Sequence, residues 1–434
     1  MQASGAPVAR LEWTGITPPN RGSRLSAADV HARADGPGNA REVFRVFLRL
    51  GLTSFGGPIA HLGYFREEFV RRRGWLDDAS FARLLSICQF LPGPASSQMG
   101  FAIGLLRAGW RGALAAFLAF TLPSALLMFG FALYAPQFLH GPVGSAVVHG
   151  LKLVAVVVVS HGLVGMARSL TPDLQRLAIA AGACALVLLA DGAWWQFVAI
   201  LGGGMLGAWL CRPAAFDAAA TPPLRYGRRL AGACFVVFLV TLACSLIPSG
   251  SAPSLRGLAG AFYRAGCFVF GGGHVVLPLL KDELVVSGWI GADTFLAGYG
   301  AAQAMPGPMF TLAAYLGASL DLGLPSWLSA GVALICIFLP GFLLLVAALP
   351  AWAALVSRPW AARTVAGINA AVVGLLAAAL YDPVWREGVS GLADAAIVAV
   401  GWALVWRLRL SALWVLAWCV GAAVAGSLWI GSPA

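Results

Sequence analysis

Two Pro-Gly-Pro corners stand 214 residues apart, Pro92-Gly93-Pro94 and Pro306-Gly307-Pro308, and each follows a glutamine by three positions, Gln89 and Gln303. Upstream of each lies an arginine six residues before a Phe-Gly-Gly break: Arg49 before Phe55-Gly56-Gly57, and Arg264 before Phe270-Gly271-Gly272. Proline suits the first turn of a helix, where its missing N–H would be unpaired anyway. Helices starting at Pro94 and Pro308 would aim free amides and a positive dipole end at a shared point, which is a site for an anion. Ser96 and Ser97 add hydroxyls in one copy and Thr311 in the other. The planar guanidinium forks of Arg49 and Arg264 suit an oxyanion. A nearby acid is the other natural partner for an arginine in an apolar helix, and Glu67 and Glu68 match Asp282 and Glu283.

A second matched pair is Lys152 with Asn369, flanked by Gly150 and Gly367, 217 residues apart. An ammonium opposite an amide within apolar segments suggests substrate contact or a fixed counter-charge. His149 and His161 read as hydrogen-bonded packing, and His61 and His274 fall at non-equivalent positions of the two copies. The expected substrate-binding set is therefore Arg49, Gly56, Gly57, Gln89, Pro92, Gly93, Pro94, Ser96, Lys152, Arg264, Gly271, Gly272, Gln303, Pro306, Gly307, Pro308 and Asn369. No catalytic residue, metal site or cofactor is expected. Eight cysteines lie mostly in apolar segments without Cys-x-x-Cys spacing, as small packing residues do.

These residues need elements to hold them, and the elements are those of a membrane protein. The chain has 434 residues, of which 59% are hydrophobic and 11% charged, too few charges to cover a soluble surface of that size. Apolar segments near 112–134, 143–167, 174–190, 193–211, 230–248, 326–349, 364–381, 392–406 and 411–430 read as full spans. Phe81 to Leu91 is too short to cross alone at ~1.5 Å per residue. With its neighbours Glu42–Phe55, 57–70 and Ala95–Leu106 it forms broken pairs that enter and leave on one face. Tryptophans such as Trp110, Trp195, Trp209, Trp327 and Trp360 sit near span ends, as interfacial anchors do.

Loop charge sets the orientation. Arg71–Arg73, Arg107, Arg111, Arg168, Arg176, Arg212 to Arg229, Arg358 and Arg363 fall on one side, which the positive-inside rule makes cytoplasmic. The net charge of +11 is explained by these loops, and no basic soluble domain calls for nucleic acid. Five spans intervene between the broken sections, an odd number, so the second copy starts from the opposite face. The expected fold is an all-α polytopic membrane protein of two inverted-topology repeats with re-entrant or broken helices, the pattern that permits alternating access around a midplane site. The expected divisions are a disordered cytoplasmic tail at 1–40, a first repeat at 41–211, a linker with one connecting span at 212–255 and a second repeat at 256–434. The N-terminus is expected in the cytoplasm and the C-terminus in the periplasm of a bacterial inner membrane, and a homodimer is compatible with this arrangement.

The duplicated Phe-Gly-Gly element, the pairs Gly74-Trp75 and Gly288-Trp289, and the duplicated Gln-x-x-Pro-Gly-Pro element together resemble the chromate transporter family, in its long two-domain form, over about residues 41–408. The resemblance implies efflux of chromate and chromate resistance, with sulfate, a close structural analogue, as a second anion. Three alternatives stay open: a carrier of sulfate or another oxyanion, a membrane-embedded enzyme, and a purely structural membrane protein. Gly202-Gly-Gly-Met-Leu-Gly207 has the spacing of a dinucleotide loop but lies inside an apolar span, where it reads as close helix packing.

Overall fold

The computed structural model describes residues 38–55, 57–138, 141–190, 194–212, 226–248, 252–270, 273–352, 358–408, 410 and 412–430. The expected tail at 1–37, most of the 212–225 segment, and Gly56, Gly271 and Gly272 lie outside the described residues. The described chain is helical throughout. The first copy comprises α1 (Ala40–Thr53), α2 (Gly57–Arg66), α3 (Asp78–Phe90), α4 (Ala95–Phe138), α5 (Pro142–Leu170), α6 (Leu174–Leu189) and α7 (Trp194–Leu210). Helix α8 (Arg228–Leu246) connects it to α9 (Leu255–Phe268), α10 (Val276–Lys281), α11 (Ala292–Ala304), α12 (Leu312–Ala318), α13 (Ser326–Ala348), α14 (Pro359–Ala379), α15 (Leu392–Trp406) and α16 (Ala412–Ile430).

The duplication extends to backbone geometry. Gly74 and Gly288 have φ of 62° and 75°, Gly93 and Gly307 117° and 91°, and Gly109 and Gly323 64° and 65°. These are turns that a side chain would strain, placed at matched positions. A π-helical turn at Glu67–Arg72 is repeated at Asp282–Val286. Gly109, with Ala108, breaks α4 into two arms. The arms fold back so tightly that a Cβ on Gly104 would lie 2.4 Å from the Gly112 carbonyl oxygen. In the second copy α12 and α13 are joined by the Gly323 turn, and Gly317 packs on Ser329 in the same manner.

Among the described residues, five helical stretches are long and apolar enough to cross a membrane: 95–134, 143–170, 228–246, 326–351 and 359–388. The chain is therefore a multi-pass membrane protein. The expected full spans at 174–190, 193–211, 392–406 and 411–430 are helices at Leu174–Leu189, Trp194–Leu210, Leu392–Trp406 and Ala412–Ile430, close to the expected bounds, with apolar stretches of 10 to 17 residues that are shorter than the five above. At ~1.5 Å per residue such a helix falls short of the ~30 Å hydrocarbon core unless the bilayer thins around it.

The two copies exchange partners. Helix α5 of the first packs against α15 and α16 of the second, while α14 of the second packs against α6 and α7 of the first. Glycines make these contacts close. A Cβ on Gly150 would lie 2.6 Å from the Val420 Cα, and one on its counterpart Gly367 2.5 Å from the Gly207 Cα. Gly203 and Gly204 also face α14, so Gly203, Gly204 and Gly207 are packing surface, as expected from their place in an apolar helix, while Gly202 meets nothing.

Candidate functional site

Each Pro-Gly-Pro corner meets the break of the other copy. The Gly93 amide donates to the Val269 carbonyl at 2.7 Å, and the Gly307 amide donates to the Ser54 carbonyl at 2.9 Å. Ser54 and Val269 are themselves counterparts, 215 positions apart. The two bonds are thus the same bond made twice, in opposite senses, and they create two crossings. One joins break 54–57 to corner 306–308; the other joins break 269–270 to corner 92–94. Both corners sit against a long helix. A Cβ on Gly93 would lie 2.9 Å from Gly341 Cα in α13, and one on Gly307 3.1 Å from the Phe120 carbonyl oxygen in α4.

This geometry differs from the expected open corner. A proline has no N–H, so the glycine supplies each corner's one amide, and that amide is bonded to protein. The helices also begin one residue later than expected. Helix α4 starts at Ala95, and Pro308 has an extended ψ of 129° ahead of a 3₁₀ turn at Met309–Thr311. Pro92, Gly93, Pro94, Pro306, Gly307 and Pro308 come together at these crossings; all are buried except Pro92, which is half-buried. Ser96 is buried in the first turn of α4. Gly57 is half-buried with φ of 75°. Gln303 is buried and its amide contacts the Met309 Sδ at 2.8 Å, whereas its counterpart Gln89 is exposed.

The basic residues lie elsewhere. Arg49 is exposed, on a stripe of α1 shared with Arg41 and Arg45, while Val43, Val46, Phe47 and Leu50 cover the buried face. The four-residue spacing of the arginines puts them on one side of the helix. Arg264 is largely buried and gives two bonds to Glu283, Nε to Oε1 at 2.7 Å and Nη2 to Oε2 at 2.6 Å, with a third donated to the Ser245 carbonyl. Of the two partners open to this arginine, the structure supplies the acid. Lys152 donates to the Asp293 carboxylate at the start of α11. Asn369 is half-buried and its Oδ1 has no partner among the described residues. Nothing in the matched spacing of Lys152 and Asn369 reveals that Lys152 has an acid within reach on another helix.

A charged cavity of about 370 Å³ also escaped the sequence reading. It is lined by Glu42, Glu68, Arg72, Arg73, Trp75 and Arg107. The buried Glu68 accepts from Arg72 Nη1 at 2.9 Å and Arg73 Nε at 2.7 Å. Arg73 and Arg107 lie over the Trp75 ring, at 5.6 and 5.2 Å from its centroid, in cation–π contact. The matched glutamates Glu68 and Glu283 are therefore ion-paired in both copies, but by different arginines. Loop charge explains Arg72 and Arg73 by topology alone; the local signal for the pair is the four-residue spacing of Arg72 from Glu68.

The chromate transporter family model matches residues 41–208 and again 256–427, so one family unit covers each copy. A probable chromate transport protein of Synechococcus elongatus is 27% identical over 360 residues, 78% of this chain and 83% of that protein. A chromate transport protein of Pseudomonas aeruginosa is 27% identical over 402 residues, covering 90% of this chain and 92% of its own length. One of Cupriavidus metallidurans is 28% identical over 352 residues, 78% of this chain and 81% of that protein. No solved structure matches the chain. With the duplicated breaks, the duplicated corners and two full matches to the family unit, the chain belongs to the chromate transporter family, in its long form.

Proposed function

We propose that this protein is a secondary transporter that exports chromate from the bacterial cytoplasm and so confers chromate resistance, with its substrate path where the two copies cross. The reciprocal bonds Gly93 to Val269 and Gly307 to Ser54 carry this proposal. Irregular backbone at membrane depth is costly unless it is buried in protein or lines a polar path, and here two copies bury it against each other. The relatives named for chromate transport align over most of the chain.

Inverted insertion of the copies is part of the proposal. Between the broken sections lie the second arm of α4, α5, α6, α7 and α8. The short helices α6 and α7 form a pair, so counting or omitting both leaves an odd number of crossings. The second copy then enters from the face opposite the first. The basic cluster Arg71–Arg73 falls opposite Val286-Ser287, as the positive-inside rule requires for copies facing opposite sides. Two inverted copies around a shared crossing can open to one face at a time. An inside-negative potential drives an anion outward by about 2.3 kcal/mol per charge per 100 mV.

Everted membrane vesicles containing the protein test this directly. Energised vesicles should accumulate radiolabelled chromate above empty-vector vesicles, and excess sulfate should compete if both tetrahedral dianions share the path. Vesicles that take up no chromate, or take up sulfate alone, would overturn the assignment.

A further inference from the structure

The two crossings are equivalent in backbone but not in chemistry. At the crossing of break 54–57 with corner 306–308, three buried polar atoms have no partner among the described residues: Ser54 Oγ, His61 Nδ1 and Thr121 Oγ1. Each belongs to a residue no more than 2% exposed. His61 touches Ser54 and Phe120 directly, and Thr121 is the next residue of the helix after Phe120. His61 Nε2 lies 3.2 Å from the Ser54 carbonyl oxygen, which also takes the Gly307 amide. The His61 ring stands edge-on to Phe120, 5.3 Å between centroids, and Thr121 follows Phe120 in α4. Ser124, three residues further on and hence on the same side of the helix, shares a 2.6 Å hydrogen bond with Thr311.

The counterpart residues at the other crossing are Val269, Val276, Phe338 and Gly341 in place of Ser54, His61, Thr121 and Ser124. All four are buried. That crossing keeps Ser97, whose hydroxyl has no partner among the described residues, and Gln98, whose amide is spent on the Pro92 and Gly341 carbonyls and whose Oε1, an acceptor, likewise has none. An anion would meet one hydroxyl donor, an acceptor oxygen and apolar walls there. Unpaired buried polar groups cost free energy in a membrane interior, and a set of three at one place marks a position where a ligand satisfies them.

We infer that the transported oxyanion binds at one crossing only, the one built from Ser54, His61, Thr121, Ser124 and Thr311, and that the crossing at Val269 and corner 92–94 serves as a scaffold. The ligand is a tetrahedral oxyanion such as chromate. Ser54 and Thr121 donate their hydroxyls to it, and Ser124 can turn toward it from Thr311, whose own hydroxyl donates to the Pro308 carbonyl at 2.8 Å. His61 holds the Ser54 carbonyl through Nε2 and presents Nδ1, which accepts when the ring carries one proton and donates when it carries two. The inference rests on the oxyanion-transport proposal above and names where in that path the anion is held.

The test uses the full chain purified in detergent and reconstituted in vesicles, with chromate as the probe. Thr121→Val and Ser54→Ala should each weaken chromate binding by about tenfold or more, the loss of one hydrogen bond to a charged ligand. Thr121→Ser, which keeps the hydroxyl, should stay within about twofold of the parent, as should Ser97→Ala at the other crossing, since neither removes a donor to the anion. If Thr121→Ser is lost together with Thr121→Val, Thr121 is packing and the inference fails. It fails equally if Ser97→Ala abolishes binding while Ser54→Ala and Thr121→Val do not. A parent protein that neither binds nor moves chromate would instead defeat the functional proposal itself.

Discussion

At the scale of single residues, the charged side chains divide by partner. Arg264 and Glu283 form a two-bond fork with little exposure. Truncating either leaves the other charge largely buried and unpaired, at a cost of about 1.5–3 kcal/mol. Arg264→Ala should lower the melting temperature of the purified protein, and the exchange Arg264→Glu with Glu283→Arg should recover part of the loss. Arg49→Ala, on the exposed stripe of α1, should leave the melting temperature unchanged, although the sequence motif presents the two arginines as equals. The corner glycines are constrained differently. Alanine at Gly93 or Gly307 must take a positive φ, costing about 1–2 kcal/mol, and must also push against Gly341 or the Phe120 carbonyl. Both variants should reach the membrane but lose transport in the vesicle assay, because each disturbs a bond between the copies and not merely a turn.

At the scale of elements, the exchanged packing of α5 and α14 gives the sharpest expectations. Gly367 lies against Gly203 and Gly207 so closely that a Cβ would be 2.1 Å from the Gly203 carbonyl oxygen. Gly367→Val should separate α14 from α7 and destabilise the protein, whereas Gly421→Val, where a Cβ would meet nothing, should have little effect on melting temperature. The helix starts differ between copies too. Asp77 caps α3 by accepting the Ser80 amide at 2.7 Å, while Gly291 begins α11 with no side-chain cap. Hydrogen bonds from Ser80 hold the Asp77 carboxyl below the usual carboxylate range. A depressed carboxylate stabilises the fold above its unfolded value and loses that contribution as pH falls through the folded one, so this cap persists at neutral pH and weakens only in acid.

Helix existence and the duplicated breaks were legible in the sequence because prolines, glycines and apolar runs carry local signals. The packing role of Gly203, Gly204 and Gly207 was legible for the same reason. Partnering was not. Nothing local to Lys152 announces Asp293, and nothing local to Gly93 announces Val269, since these contacts join segments far apart in the chain. The unpartnered hydroxyls of Ser54 and Thr121 look like ordinary membrane serine and threonine until burial and bonding are seen together.

For the whole molecule, the central claim is that two like copies insert in opposite senses and meet at reciprocal crossings. That claim links the odd number of connecting spans, the exchange of α5 and α14 between copies, and the basic loop present in one copy and absent from the other. Single cysteines introduced into a cysteine-free version at matched exposed positions, Arg71→Cys and Val286→Cys, measure it directly when labelled in intact cells with a membrane-impermeant maleimide. Val286→Cys should label from outside, and Arg71→Cys should label only after the membrane is opened. Labelling of both from the same side would contradict the account.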